Sequence, residues 1–462
     1  MKKIIALFIT LALALTLASC ASVEVEKTDG EQTEFAAQNG GMPDAPSGEM
    51  PSGEAPEMPR GGFEGNGGNA FGGFGGQGGF NTSNGADSAE TVAADDQFTS
   101  RDLEQTADTS VAENITLKSG EDVTLTAAGV YVLTGSANDS TVIVEAGDED
   151  KVQIVLDGVT VTNEDSPAIY VKNADKVFVT TTDTVNTLSV TGTFTSDGDT
   201  NTDAVIFSKD DLVINGVGTL NIKSSDNGIT SKDDLKITGG MIVIDCASDG
   251  LEANDSIRIS DGEVTIKASK DGMHCEYEED DTVGYIYITG GKFNITSGDD
   301  GIHATTVCEI YGGDFTISAA EGIEATQVVI GGGSINITAS DDGVNAAKKS
   351  SSLGVIVEID GGDLTIKMGA GDTDAIDSNG NIVINGGNVN ITGQSAFDYD
   401  GTATYNGGTL TVNGQTVTSI TNQFGGMGGG MMPGGGMTPG GQNGQRGGQP
   451  GGGGGNGRNG RK

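Results

Sequence analysis

Residues 291–304 read GKFNITSGDDGIHA, and nearly the same phrase returns at 262–275 as GEVTIKASKDGMHC, at 313–325 as GDFTISAAEGIEA and at 333–346 as GSINITASDDGVNA. Each copy opens on Gly and alternates apolar with polar residues. It then reaches an acidic residue followed by Gly, and closes on an aliphatic, a polar and a small residue. Alternation at period two marks a strand with one buried face. Recurrence at a period of 20 to 32 residues marks a solenoid rather than a set of separate hairpins.

Working outward from these copies, three strands per turn align by their apolar positions. The first carries pairs such as Ile257/Ile259, Ile286/Ile288 and Cys308/Ile310; the second Val264/Ile266, Phe293/Ile295 and Phe315/Ile317; the third Met273/Cys275, Ile302/Ala304 and Ile323/Ala325. No single turn can bury these residues alone, but stacked turns make one apolar column with strands about 4.8 Å apart. The reading is an all-β, right-handed parallel β-helix over residues 110–422, the hand following from the preference of parallel crossovers. A β-propeller and a leucine-rich repeat fit less well, because the copies are short for four-stranded blades and the Leu/Asn spacing is absent.

Stacking turns the acidic corner into a ladder. Asp249, Asp271, Asp300, Glu321, Asp342 and Asp374 take the corner in successive turns, with Asp299 and Asp341 just before it. Three residues on, the outward position holds Glu252, His274, His303, Glu324, Asn345 and Asp377. Unit charges about 5 Å apart repel by about 3 kcal/mol at an effective dielectric of 20. A divalent cation would relieve that repulsion, and Ca²⁺ accepts six to eight oxygen ligands in flexible geometry. The carboxylates named above are therefore candidate Ca²⁺ ligands. Asp-Gly is also a favoured turn dipeptide for conformational reasons alone. Zinc would prefer clustered His and Cys, and His274 and His303 are the two histidines of the chain.

Two insertions follow third strands three turns apart, 276–282 (EYEEDDT) and 348–352 (KKSSS). Loops on one side of a solenoid often frame its binding surface. Tyr285, Tyr287 and Tyr311 alternate outward nearby as candidate sugar-stacking residues, with His274 and His303 as further substrate contacts. Cys246, Cys275 and Cys308 fall on inward positions and read as small buried hydrophobes.

The flanks differ in kind. Residues 1–20 form a signal peptide ending in Leu17-Ala18-Ser19-Cys20, which resembles a bacterial lipobox with Cys20 as the lipidated residue. The reading therefore expects export and a lipid anchor on the outer face of the bacterial cytoplasmic membrane. Residues 21–109 and 423–462 are rich in Gly, Pro and Met without a sustained apolar period, and are expected to be a disordered linker and tail. Net charge is −42, with 66 Asp plus Glu against 24 Lys plus Arg. That balance excludes nucleic acid as a partner, which needs a cationic face, and electrostatic docking to anionic lipid.

The repeated SGDDGIHA, ASDGLEA and SAAEGIEA phrases resemble a family of secreted, calcium-containing parallel β-helix carbohydrate-binding domains of anaerobic plant-wall-degrading bacteria. The resemblance covers about 110–420. It implies a shape related to pectate lyases, bound Ca²⁺, and binding of cellulosic or acidic pectic polysaccharide. Asn227 and Glu321 at the corner, and His274 and His303 in the second ladder, depart from the pattern. The expected function is non-catalytic, calcium-dependent polysaccharide binding. Alternatives are a polysaccharide lyase, for which Arg258 is the one Arg of the repeat region, and a calcium-rigidified adhesin.

Overall fold

The computed structural model describes residues 85–94, 97–370 and 373–422. Among the described residues, thirty-four strands run from Glu113 to Val417 and join into one parallel ladder system, closed at its C-terminal end by the antiparallel pair Thr409–Val412 and Gln415–Val417. The fold is a parallel β-helix. Cys20, the expected linker before residue 85, Asp372 and the expected tail from 423 lie outside the described residues.

The register follows the alternation. In the first column Leu235, Ile257, Ile286, Cys308, Val328, Val357 and Ile382 are successive partners. In the second, Leu220, Ile242, Val264, Phe293, Phe315, Ile335, Leu364 and Val389 stack likewise. The third column runs Leu251, Met273, Ile302, Ile323, Val344, Ile376 and Phe397. These side chains form one continuous core, nearly all of them fully buried. Phe293 and Phe315 stack inside it with centroids 4.3 Å apart. Cys246, Cys275 and Cys308 are free thiols in that core, where burial raises their pKa values. A one-residue slip would turn the whole column outward, so the register is strongly specified.

The Asp-Gly corner is explained by its neighbours one turn on. Asp271 N–H donates to Asp249 Oδ1 at 2.8 Å, Asp300 N–H to Asp271 Oδ1 at 2.9 Å, and Asp374 N–H to Asp342 Oδ1 at 3.0 Å. Asn227 serves equally well, its Oδ1 accepting from Asp249 N–H at 2.9 Å. The following Gly is required by space: a Cβ on Gly272 would stand 2.4 Å from Ile295 Cγ2 and 2.5 Å from the Gly301 carbonyl oxygen. At Asp249, Asp271 and Asp342 the corner phrase is thus a stacking device, one carboxylate oxygen holding the next turn's backbone.

The expected boundary at residue 110 needs correction. Residues 85–94 and 97–105 lie along the outer face of the first column, running against chain order. Ala89 N–H donates to Glu358, Glu90 N–H to Gln327 and Val92 N–H to Glu309, at 2.6–2.8 Å. Farther up, the buried Asp102 carboxylate faces Lys236 at 3.2 Å and Lys176 at 3.6 Å. No apolar period betrays this strap, because it is held by polar side chains of the column rather than by a strand ladder.

Candidate functional site

The outward position of the third column forms one seam. Thr230, Glu252, His274, His303, Glu324, Asn345, Asp377 and Asp398 are successive register partners. The corner residues lie beside them, so both expected ladders share one edge. Carboxylates and imidazoles draw together in overlapping groups: Asp249, Asp271 and His274; Asp271, Asp300 and His303; Asp300, Glu321 and Glu324; and His274, Glu276 and His303.

At its N-terminal end the seam is internally satisfied. Glu252 accepts from Asn227, Thr230 and Lys232 at 2.5–2.9 Å. Although burial opposes ionisation, the Lys232 charge and these hydrogen bonds hold its pKa below the usual carboxylate value. Its oxygens are therefore already taken within the chain.

In the middle, the two imidazoles stack with centroids 4.8 Å apart and planes inclined by 20°. His274 Nδ1 stands 2.7 Å from Asp271 Oδ2, and His303 Nδ1 stands 2.8 Å from Asp300 Oδ2 and 3.1 Å from Glu324 Oε2. Burial opposes their protonation, yet the facing carboxylates raise the pKa values to about 10 for His274 and about 9 for His303. Lys349 Nζ, from the second insertion, reaches Glu324 Oε2 at 2.8 Å. Against the cost of burial, His303 and Lys349 lower the Glu324 pKa.

Past Glu324 the positive partners stop and the donors are all oxygens. Burial, with Glu324, Asp300 and Asp342 nearby, pushes the Glu321 carboxyl up to about 8. Burial and neighbouring carboxylates push Asp342 to about 6 and Asp377 to about 7. Asn345 donates to Glu321 at 2.9 Å, while its buried Oδ1 has no hydrogen-bond partner among the described residues. Asp374 accepts from the Ser395 hydroxyl. Asp299 and Asp341 are exposed at the edge of the seam.

The insertions meet although their parent strands are three turns apart: Ser351 N–H donates to Asp281 Oδ2 at 2.8 Å. Beside the first insertion lies a groove of about 590 Å³, lined by Asp203, Asp226, Asp249, Lys270, His274 and Glu276–Glu279 among others. The expected tyrosines are not at this groove. They project from the first column, where the strap lies: Tyr285 donates to Gln97 Oε1 at 3.0 Å, and Tyr287 and Tyr311 form a hollow with residues 91–94. Tyr287 is buried, so stacking a sugar on it would require displacing the strap. The tyrosine at the groove is Tyr277, within the insertion. Tyr277 and Lys349 were missed as site residues because loop sequence does not reveal which column its side chains will return to.

A family model described as "Carbohydrate-binding domain-containing protein" matches residues 119–375. The chain belongs to that family. The match includes the seam from Asp203 to Asp374, and two further turns continue the family's solenoid to Val412 with the same register. A protein of that description from Acetivibrio thermocellus is 43% identical over 204 residues, covering 43% of this chain and 71% of the relative. A solved polysaccharide lyase-like protein from C. thermocellum is 30% identical and aligns over 54% of this chain and 99% of its own, with a TM-score of 0.41.

Proposed function

We propose that this chain is a non-catalytic module that binds plant-wall polysaccharide through Ca²⁺ held on the seam, at the outer surface of a bacterial cell. The observation that carries the reading is the oxygen-only end: Glu321, Asp342 and Asp377 crowd until their pKa values rise, beside a buried, unpartnered Asn345 oxygen. That donor set suits a hard, flexible-geometry cation. Glu321, Asp342, Asn345 and Asp377 would supply its ligands. When bound, the ion would supply positive charge to which a uronate carboxylate can bind, letting a strongly acidic protein accept an acidic glycan.

Lyase chemistry would require a base that removes the proton next to the uronate carboxylate. Arg258 is poorly suited. Its guanidinium is held by both Asp234 oxygens at 2.7–2.8 Å and lies over the Tyr285 ring, under the strap side of the molecule. Lys232 is bonded to Glu252, and Lys292 to Glu263. A binding module is therefore the better reading.

The test is retention on polygalacturonate and on cellulosic glycans, with Ca²⁺ and with EDTA. Retention that EDTA abolishes and Ca²⁺ restores is expected, without formation of unsaturated product. Chelator-insensitive retention, or unsaturated product, would overturn the reading.

A further inference from the structure

We propose that His274, His303 and Glu276 form a site for a first-row transition-metal dication, with zinc the best fit, separate from the oxygen-only end of the seam. The two histidines are register partners on adjacent turns, so their rings stand in parallel with corresponding atoms on the same side. The Nδ1 atoms face the corner aspartates, His274 to Asp271 and His303 to Asp300. An ionised carboxylate only accepts hydrogen bonds, so Nδ1 carries a proton in both rings; with their pKa values raised, the rings also hold a proton on Nε2 at neutral pH, which the metal ion displaces when it takes the Nε2 lone pair. Both Nε2 atoms face Glu276 Oε2, at 3.2 Å from His274 and 3.9 Å from His303.

A second observation points to a missing ligand. His303 Nε2 is buried and has no hydrogen-bond partner among the described residues, on a side chain only 9% exposed. A buried polar atom without a partner is costly and calls for a water or an ion. The three donor atoms lie within 4.8 Å of one another. Bonds of about 2.0–2.2 Å to nitrogen and oxygen would draw them closer. Glu276 can move inward, because it is 40% exposed and opens the insertion. Carboxylates behind the histidines are the usual outer partners of metal-bound imidazole, fixing tautomer and ring orientation. Here Asp271 is itself anchored, its Oδ1 accepting from Asp300 N–H. The donor set of two imidazoles and one carboxylate favours zinc over calcium. A fourth position would open toward the groove that His274 and Glu276 line. The bound ion would also clip the insertion to the solenoid.

The experiment is a zinc titration of the full chain by competition with a chromophoric chelator, with Ca²⁺ present throughout to fill the oxygen sites, and a parallel Co²⁺ titration read by its visible absorption. One saturating equivalent with the spectrum of a four-coordinate ion is expected. His303→Ala should abolish it. Glu276→Ala, which sits at the surface and leaves the core untouched, should weaken it at least about tenfold, and Asp300→Asn should weaken it by about 10–100-fold. Asp377→Asn should leave zinc affinity unchanged, and Glu276→Ala should leave calcium affinity unchanged. Absence of saturable zinc binding would overturn the proposal. So would unaltered affinity in both His303→Ala and Glu276→Ala, or zinc binding lost only on substitution at Asp342 or Asp377. Loss of calcium binding alone would bear on the glycan-binding reading and not on this site.

Discussion

From Asp271 to Glu324 the seam sets its carboxylates against His274, His303 and Lys349; from Asp342 to Asp398 their close neighbours are other carboxylates and amides. Both stretches occupy the same register positions on the same column, one turn after another. Yet Glu324, with His303 and Lys349 against it, is held below the ordinary carboxylate range, while Asp342 and Asp377, and Glu321 at the junction of the two stretches, are pushed above it. The contrast teaches that a repeated geometry does not give a repeated chemistry. Where an imidazole and an ammonium both meet the acid, as at Glu324, it is paired within the chain; where neither does, as at Asp342 and Asp377, it is left for a cation to neutralise.

The strongest way to break the comparison is to remove one acid from each stretch. Glu324→Gln leaves His303 and Lys349 facing a neutral amide in a largely buried place, and breaking a buried pair from one side typically costs about 3–5 kcal/mol. Chemical denaturation in EDTA at pH 7 should show a loss of that order; a loss under about 1 kcal/mol would mean the middle stretch is not internally paired.

Calcium should act next in size and in the other stretch. A site filled at a hundred times its dissociation constant adds about 2.7 kcal/mol to stability. Calorimetric melting should show that gain in the wild type and its loss in Asp342→Asn with Asp377→Asn. If the double variant keeps the full calcium shift, the oxygen-only end is not the site.

Acidity probes the crowding of the seam without mutation. Glu321, Asp342 and Asp377 have folded pKa values raised to about 8, 6 and 7. A raised folded pKa stabilises the protein fully below the unfolded value, and that stability is lost as pH rises through the folded value. In chelator the melting temperature should therefore fall as pH rises from about 4 to 8, the oxygen-only end contributing together with Asp300, Asp203 and Asp233, whose carboxyls burial also raises. The histidines, raised from 6.5 to about 10 and 9, should add to the fall from about pH 6.5 and carry it on to about pH 10, after the carboxylates have ceased to contribute. A melting temperature that is flat or rising between pH 5 and 8 would contradict the crowding inferred at Asp342 and Asp377.

The smallest effect has the opposite sign to the first. Asp377→Asn alone, in chelator at pH 8, removes a charge that its neighbours disfavour and should stabilise the fold by about 1 kcal/mol. Destabilisation there would show that Asp377 makes a structural bond outweighing the repulsion.

Much of the solenoid was legible beforehand. The Ile, Val and Phe pairs of all three columns fell on the inward positions that alternation assigned them, and the two polar ladders fell on one edge. The corner Asp carried a meaning that spacing alone could not show, since Asp-Gly is both a turn and a ligand-like pair. Only neighbouring turns reveal that Oδ1 of Asp249 and Asp271 holds the next backbone N–H. The tyrosines were placed on the correct outward positions but beside the wrong partner, because the strap at 85–105 leaves no periodic trace. The insertions were recognised as loops from one edge, but their contact through Asp281 and Ser351 was not, because loop paths are set by what they land on.

By itself the sequence determined the period, the register and the membership of each column, since burying one face of an alternating strand is a local requirement repeated at every turn. Only the tertiary structure decided which oxygen or nitrogen of each seam residue faces the backbone, a neighbouring charge or open groove. Those orientations depend on side chains brought together from adjacent turns, and from Lys349 and Glu276 on loops whose landing places no local pattern specifies.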